Sequence, residues 1–222
     1  MNQTNHISNA GNAIDNKNNT HRKLVIAVSG TLCSGKGVVS KILKSKGCDT
    51  STFSSVIKDE FKSRGILEPT RQQLQNEGNR LRKEFGGQIL AEKILLKYKD
   101  SVKPLVIDGL RNVGEIEYLK KHSNFFLIGV DAPIETRFKF TQKRNSGKDH
   151  IDYDTFVALD NRDRGLNEPV SGQQVGMCLT YADYLIYNDE EFTGHDENIN
   201  RLENSKFGKQ VLEIYEEIMR KN

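Results

Sequence analysis

The feature that most constrains this chain is a glycine-rich segment between an apolar run and a helical pattern. Residues 24–28 are apolar and rich in β-branched side chains, and the run breaks at Gly30. Ser34–Gly37 follow, and a pattern typical of a helix then covers Val38–Lys46. Backbone N–H groups in such a loop, with the positive end of the next helix, form a cradle for phosphate. The order of strand, loop and helix therefore predicts a nucleotide phosphate site.

The glycine-rich segment satisfies most of the G-x-x-x-x-G-K-[ST] pattern of P-loop NTPases. Gly37 departs from it, because it stands where the pattern has Ser or Thr. Val38 follows and also lacks a hydroxyl, so a direct side-chain ligand to Mg²⁺ is missing from this part of the loop. The alternative interpretation is a structural turn with an exposed lysine. We assign the nucleotide phosphates to Gly30, Thr31, Cys33, Ser34, Gly35, Lys36, Gly37 and Val38.

Composition narrows the choice of partner and compartment. The 222 residues suit one domain, and 33 basic against 30 acidic residues give a net charge of only +3. We therefore expect neither a nucleic-acid nor a membrane partner. No apolar run approaches the ~20 residues that span a bilayer, and residues 1–20 lack the order of a signal peptide. The three cysteines are scattered, which fits a reducing, cytoplasmic location without a disulfide framework.

The order of patterns along the chain indicates an α/β fold. Residues 1–21 are rich in asparagine and poor in large apolar side chains, so we expect a disordered tail followed by one domain over residues 22–222. Short strand-like runs then alternate with longer helical patterns, which predicts a doubly wound parallel sheet covered by helices on both faces. The predicted strands begin near Leu24, Cys48, Pro104, Asn124 and Tyr184.

A predicted helix after Pro69 carries a polar strip. Thr70 and Gln73 form the signature of a capping box that opens this helix. Four side chains then fall on one narrow strip at helical spacing, namely Arg71, Gln75, Asn79 and Arg82. Two arginines and two amides suit a phosphate and a base, and we assign them to substrate binding. A solvated helix face explains the same pattern equally well.

An acidic residue ends the third predicted strand. Asp108 closes a short apolar run, and ligands in α/β folds lie at the carboxyl ends of strands. A carboxylate beside the glycine-rich segment can hold Mg²⁺ directly or through water. Arg111, three residues later, would lie on the same rim and bind a second phosphate. The Asp-Gly pair is also an ordinary turn signal.

Two basic clusters flank a polar segment between residues 137 and 165. Arginines that close over phosphates stabilise the charge of a transferring phosphoryl group, so this region predicts a lid. The alternative is two solvated basic helices. We assign catalytic roles to Lys36 and Asp108 and to four arginines, Arg137, Arg144, Arg162 and Arg164.

The order of these pieces resembles the P-loop nucleotide kinases, which include adenylate kinase, dephospho-coenzyme A kinase and deoxynucleoside monophosphate kinases. Gly35-Lys36-Gly37 is similar to the adenylate kinase form of the loop, and residues 106–109 with Arg111 resemble that family's strand end and acceptor arginine. Residues 130–133 with Arg137, and residues 182–188, resemble dephospho-coenzyme A kinase and its archaeal relatives.

A closer likeness is to the kinase-like P-loop domain fused to deoxycytidylate deaminases. Residues 71–82, residues 107–111 and residues 172–175 with Ala182-Asp183 carry it. The deaminase chemistry itself needs His-x-Glu and Pro-Cys-x-x-Cys. His195-Asp-Glu197 matches only the first half, and no Cys-x-x-Cys is present in the sequence.

The resemblance implies a nucleotide kinase that uses ATP and Mg²⁺ to phosphorylate a small phosphorylated acceptor such as a (deoxy)nucleoside monophosphate. In it Lys36 and the loop amides hold the β- and γ-phosphates, and Asp108 positions the metal. Two alternatives stay open: a regulatory nucleotide-binding module acting with a deaminase-type partner, and a dephospho-coenzyme A kinase. A homo-oligomer is a further possible assembly. The sequence leaves the acceptor, the oligomeric state and the role of residues 1–21 open.

Overall fold

The computed structural model describes residues 22–144, 151–190 and 198–222, apart from the side chains of Arg71 and Arg144. The strands are β1 (Leu24–Gly30), β2 (Asp49–Thr52), β3 (Leu105–Leu110), β4 (Asn124–Asp131) and β5 (Tyr184–Tyr187). The helices of the first half are α1 (Lys36–Ser45), α2 (Phe53–Ser63), α3 (Arg71–Phe85), α4 (Ile89–Lys97) and α5 (Val113–His122). The helices of the second half are α6 (Ile134–Arg144), α7 (Tyr153–Arg164), α8 (Val175–Thr180), α9 (Ile199–Asn204) and α10 (Lys206–Lys221).

The five strands form one parallel sheet in the order β2-β3-β1-β4-β5. β1 lies at the centre, and all seven of its residues are buried. A strand that is covered on both faces is apolar at successive positions and does not alternate between apolar and polar residues. Residues 24–28 have this pattern. Val28 pairs with Asp108 of β3 and with Ile128 of β4, so the ends of three strands meet beside the glycine-rich segment.

Helices cover both faces of the sheet, which confirms the predicted doubly wound fold. On one face Leu24, Ile26 and Val28 of β1 pack with side chains of α1, α9 and α10. On the other face Val25 and Ala27 pack with side chains of α2, α3, α4, α5 and α8. Alternate residues of β1 thus enter two separate cores, because successive side chains of a strand point to opposite faces.

Local signals set most element boundaries. The Thr70–Gln73 capping box opens α3 as predicted. α5 was not predicted, although Asn112 and Glu115 form a capping box at its start. α1 begins at Lys36, two residues earlier than predicted, because Gly35 takes a left-handed φ of 107° and the chain turns into the helix there.

Three predicted regions lie partly or wholly outside the described residues. The asparagine-rich tail, residues 1–21, is one of them, and the His195-Asp-Glu197 match is another. The predicted lid, residues 137–165, is described as α6 and α7 without residues 145–150 between them. Its role as a lid stays a prediction.

Candidate active site

The loop between β1 and α1, which we call the glycine loop (residues 30–36), is closely packed against the ends of β4 and β5. A Cβ on Gly30 would lie 2.2 Å from the carbonyl oxygen of Val130, and one on Gly35 would lie 2.7 Å from Nδ2 of Asn188. The buried Asn188 side chain donates a hydrogen bond to the Ser34 carbonyl at 3.0 Å. Glycine is therefore required at both positions, and the backbone reaches the start of α1 in a fixed conformation.

A second set of contacts fixes the first half of the glycine loop. Oγ1 of the buried Thr31 donates to Oδ1 of Asp131 at 2.6 Å, and the Thr31 amide donates to the Val130 carbonyl at 3.3 Å. Cys33 adopts a positive φ of 60°, and Oγ1 of Thr141 lies 3.2 Å from its sulfur. The conformation of the loop thus depends on β4 and α6 as well as on its own glycines.

Lys36 is the first residue of α1 and turns back over the loop. Its Nζ donates to the carbonyls of Gly30 at 3.0 Å and Thr31 at 2.7 Å. Burial lowers the pKa of Lys36 to about 8, although the charge of Asp108 acts to raise it. Arg111 and Asp163 also act on this pKa, with opposite signs. The ammonium group is therefore poised for an anionic partner that would restore its usual basicity.

Gly37 and Val38, which follow the glycine loop and were also assigned to phosphate binding, have different environments. The side chain of Val38 is fully buried and belongs to the core that the sheet forms with α1, α9 and α10. Gly37 has no atom within 4 Å of the place where a Cβ would stand. The chain therefore lacks a hydroxyl at this position but has room for one.

Asp108 lies on β3 opposite Val28 of β1 and Thr52 of β2, and its side chain is half-buried. Within the described ranges, no group of three or more His, Cys, Asp or Glu side chains could hold a metal ion. A single carboxylate beside a phosphate loop still fits Mg²⁺, since this ion keeps several waters and shares phosphate oxygens. It does not fit a metal that needs a full cage of protein ligands.

Next to Asp108 lies a cavity of about 240 Å³, which we call the arginine cavity. Its wall combines apolar side chains from α2 and α3 with polar groups from α3 and the segments after β3 and α7. The lining residues are Phe53, Ser54, Ile57, Leu74, Gln75, Gly78, Arg82, Gly109, Arg111 and Gln173. Three of the predicted substrate-binding residues, Gln75, Arg82 and Arg111, are among them.

Each arginine of the cavity has a buried carboxylate partner. Nε and Nη2 of Arg82 donate to Oε1 of Glu115 at 3.0 and 2.7 Å, and both side chains are almost inaccessible to solvent. Oε2 of Glu115 accepts from the backbone amides of Arg111 and Asn112. Glu115 thus holds the side chain of one cavity arginine and the backbone of the other.

Arg111 contacts the second carboxylate. Its Nη1 lies 3.1 Å from Oδ2 of Asp163 and donates to Oε1 of Gln173 at 2.8 Å. Asp163 is 1% exposed, and its Oδ1 accepts from Nε2 of Gln75. These contacts join the end of α7 to α3 and to the loop after β3.

Arg162 and Asn79 lie at the edge of this network. Arg162 donates to Glu168 at 2.9 Å and to Oε1 of Gln75 at 3.2 Å. Asn79 donates to the other oxygen of Glu168 at 2.9 Å. Both predicted residues therefore contact α3 and the segment after α7, and neither lines the arginine cavity.

Arg137, predicted to neutralise a transferring phosphoryl group, is instead 1% exposed. Its guanidinium lies 2.5 and 3.0 Å from the two carboxylate oxygens of Asp160, and it also donates to the carbonyls of Leu32 and Ala132. Burial acts to raise the pKa of Asp160, but hydrogen bonds and charge from Arg137 and Arg164 outweigh it and lower that pKa. Oδ1 of Asp160 also accepts from the Leu32 amide at 3.3 Å. This pair joins α6 and α7 to the glycine loop.

Arg164 is the more accessible of the two arginines beside the glycine loop, with a side chain 36% exposed. Its Nε donates to Asp160 at 3.0 Å, and its Nη2 lies 3.5 Å from Asp131. The side chains of Arg71 and Arg144 lie outside the described part of the structure. The structure thus distinguishes a buried Arg137 from a partly exposed Arg164.

Four acidic side chains of the site were not predicted from the sequence. They are Glu115, Asp131, Asp160 and Asp163. Two of them had a local signal: Glu115 occupies the third position of a capping box, and Asp160 precedes Arg164 by one helical turn. Asp131 and Asp163 had none, because their partners are distant along the chain.

Among the helices of the described residues, none combines the length and the apolar character that crossing a membrane requires.

Comparisons with known proteins found relatives in sequence and a likeness in fold. A UPF0200 protein of Aeropyrum pernix is 34% identical over 169 residues, covering 75% of this chain and 84% of that protein. A UPF0200 protein of Methanothermobacter thermautotrophicus is 33% identical and covers 75% of this chain and 82% of that protein. The structure of shikimate kinase from Bacteroides thetaiotaomicron superposes with a TM-score of 0.53 at 13% identity, covering 87% of this chain and 98% of that chain.

The likeness to shikimate kinase concerns the fold, and it confirms that this chain has the fold of P-loop kinases. The fusion to a deaminase, suggested by resemblance, stays a prediction. The family described as AAA domain matches residues 26–165, which is more than half of the chain. The chain therefore belongs to the AAA domain family and is a member of the UPF0200 proteins.

Proposed function

We propose that this protein is an ATP-dependent nucleotide kinase that transfers the γ-phosphoryl group to a small phosphorylated acceptor, a (deoxy)nucleoside monophosphate. The observation that carries the proposal is the position of Lys36 between two sites. Its ammonium group lies over the glycine loop and also interacts electrostatically with Asp108, Arg111 and Asp163. A donor phosphate on the loop and an acceptor in the arginine cavity would therefore meet at one residue.

The arginine cavity supports an acceptor that has both an anionic group and a flat apolar part. Arg82 uses Nε and Nη2 on Glu115, and Arg111 uses Nη1 on Asp163 and Gln173. Among the described residues, no acceptor contacts the remaining side-chain nitrogens of either arginine. Phe53, Ile57 and Leu74 add apolar surface to the lining of the same cavity. Guanidinium groups bind phosphate oxygens, and apolar side chains accept the face of a base.

In the proposed reaction each residue around the glycine loop has a separate role. Lys36 and the amides of the glycine loop bind the β- and γ-phosphates, and Arg164 neutralises charge beside them. Arg137 acts as a positioning residue, because it holds the Leu32 carbonyl rather than a substrate. Asp108 would hold Mg²⁺ with water and phosphate oxygens, and the ion would supply charge stabilisation. Phosphoryl transfer depends mainly on such positioning and electrostatics.

The proposal is tested by ADP formation with ATP and a panel of nucleoside monophosphates and dephospho-coenzyme A. We expect Lys36→Ala to lower turnover by about a hundredfold or more, since it removes the cation that touches the transferring phosphate. Lys44→Ala, on the exposed side of α1, is the matched control and should keep wild-type turnover. Near-normal ADP formation by Lys36→Ala would contradict the proposal.

A regulatory nucleotide-binding module is the second candidate, and the missing hydroxyl at Gly37 favours it. Loss of that ligand is a change expected when a phosphotransferase fold keeps binding but loses catalysis. Tight ATP binding without phosphoryl transfer to any member of the panel would decide for the module, and a deaminase that binds this chain would then be its partner. Transfer to dephospho-coenzyme A alone would change the acceptor and keep the phosphotransferase.

A further inference from the structure

Gly78 lies in the middle of α3, where helix formation alone gives no reason for a glycine. Gly78 is buried and lies in the wall of the arginine cavity. Glycine weakens a helix interior relative to alanine, so its presence there calls for a local reason. A Cβ at this position would stand 3.1 Å from Cδ1 of Ile57 and 3.4 Å from Nη1 of Arg82. The absent side chain therefore leaves a gap directly in front of one guanidinium nitrogen.

That nitrogen is the part of Arg82 that its partner leaves accessible. Nε and Nη2 both donate to Oε1 of Glu115, and Glu115 is fixed in turn by the amides of Arg111 and Asn112. Within the described ranges, Nη1 has no hydrogen-bond acceptor. The guanidinium cannot rotate to offer another edge without breaking a buried charge-assisted pair, which is costly. An anion in the cavity can thus reach Arg82 through Nη1.

We propose that Gly78 is the specificity-determining residue of the acceptor site, because its missing side chain opens the path by which a phosphate monoester of the acceptor contacts Nη1 of Arg82. The inference deepens the proposed function and rests on it. A methyl group at residue 78 would stand between the acceptor and this nitrogen. Acceptors would lose a charge-assisted hydrogen bond, whereas ATP on the glycine loop would keep all its contacts.

The fold should tolerate the change that blocks the path. The close neighbour, Cδ1 of Ile57, is the end of a flexible side chain that can move by a few tenths of an ångström. Alanine also favours the helix more than glycine does. If Gly78 has only a structural role, Gly78→Ala should lower the melting temperature and weaken the binding of ATP and of the acceptor equally. If Gly78 determines specificity, the substitution should weaken the binding of the acceptor alone.

The test compares wild type, Gly78→Ala and the control Gln72→Ala, which changes an exposed position on the same helix. The measurements are KM for ATP, KM for the nucleoside monophosphate that the wild type phosphorylates best, and the melting temperature. For Gly78→Ala we expect the acceptor KM to rise by about tenfold or more, with the ATP KM and the melting temperature not worsened. Gln72→Ala should match the wild type in all three.

A titration without ATP separates this inference from the proposed function. Calorimetry with AMP, GMP, CMP and UMP measures acceptor binding by wild type and by Gly78→Ala. Equal affinities, or no binding of any of the four by the wild type, would overturn the inference. Weaker binding by the variant without phosphoryl transfer by the wild type would keep the inference and overturn the kinase.

A double variant guards against the case in which Gly78→Ala folds poorly. Gly78→Ala combined with Ile57→Val removes the atom that stands 3.1 Å away and keeps the methyl group in front of Arg82. It should have a wild-type melting temperature and the same rise in acceptor KM. Recovery of the wild-type KM in the double variant would overturn the inference, since the path would still be blocked.

Discussion

The glycine loop and the arginine cavity are built from different chemical groups. The loop is formed by backbone, and its conformation depends on Gly30 and Gly35 fitting against Val130 and Asn188. The cavity is formed by side chains whose charges are balanced in pairs, such as Arg82 with Glu115. Backbone geometry can bind any phosphate, whereas a set of side chains can distinguish one acceptor from another.

The difference also changes how each region responds to substitution. Removing one member of a buried pair leaves an uncompensated charge, so the cavity should be sensitive to single replacements. The glycine loop contains one charge that is unfavourable in the folded protein, Lys36, and it is followed by a half-buried position with free space, Gly37. Some replacements in the loop should therefore be neutral for folding or even stabilise it, while they change activity.

The largest effect on stability is expected in the cavity. Glu115→Ala leaves the buried guanidinium of Arg82 without its partner and removes the acceptor for two backbone amides. The free energy of unfolding should fall by about 3–5 kcal/mol, measured by urea denaturation. Glu117→Ala, two residues along the same helix but exposed, is the control and should have little effect. Equal free energies of unfolding for the two variants would contradict the expectation that the cavity is sensitive to single replacements.

An intermediate effect of opposite sign is expected in the loop. The pKa of Lys36 is lowered from 10.5 to about 8, mainly by burial, so at pH 7 the folded state carries the cost of a charged, poorly solvated ammonium. Lys36→Met should be inactive and yet more stable than the wild type by about 1–2 kcal/mol at pH 7.

The pH dependence of this difference checks its cause. Below pH 8 both folded and unfolded wild type keep the proton, and the cost is fully present. Between pH 8 and 10.5 the unfolded state binds more protons, so the stability of the wild type rises with pH relative to Lys36→Met. The two unfolding free energies should converge near pH 10.5. A difference that is independent of pH would contradict the assignment to the Lys36 charge.

The smallest effect is expected at Gly37. Gly37→Ser adds a hydroxyl where the loop pattern has one and where no atom lies within 4 Å of a Cβ. If the chain is a phosphotransferase, ADP formation should rise several-fold, because Mg²⁺ gains a ligand, and stability should be unchanged. Gly37→Ala, which adds a methyl group without oxygen, is the control. Identical rates for the two variants would contradict a metal-binding role for this position.

The sequence by itself determined the sheet, the position of the glycine loop and several helix starts. These features depend on contacts between near neighbours or on burial of whole runs. The β1 strand is covered on both faces and is therefore apolar throughout, and Thr70 caps α3 through Gln73, three residues away. Such signals survive in a single sequence because their physical cause lies within a few residues.

Only the tertiary structure decided which charged residues are buried in ion pairs with one another. Arg137 and Arg164 look alike in sequence, but Arg137 lies 2.5 Å from the buried Asp160 and donates to Leu32, 105 residues earlier. Arg82 reaches Glu115 across 33 residues, and its Nη1 lies 3.4 Å from the place where a Cβ of Gly78 would stand. Charge pairs of this kind form when distant helices pack together. Whether an arginine binds a substrate or a buried carboxylate is therefore settled by packing, not by the arginine's own neighbours in the chain.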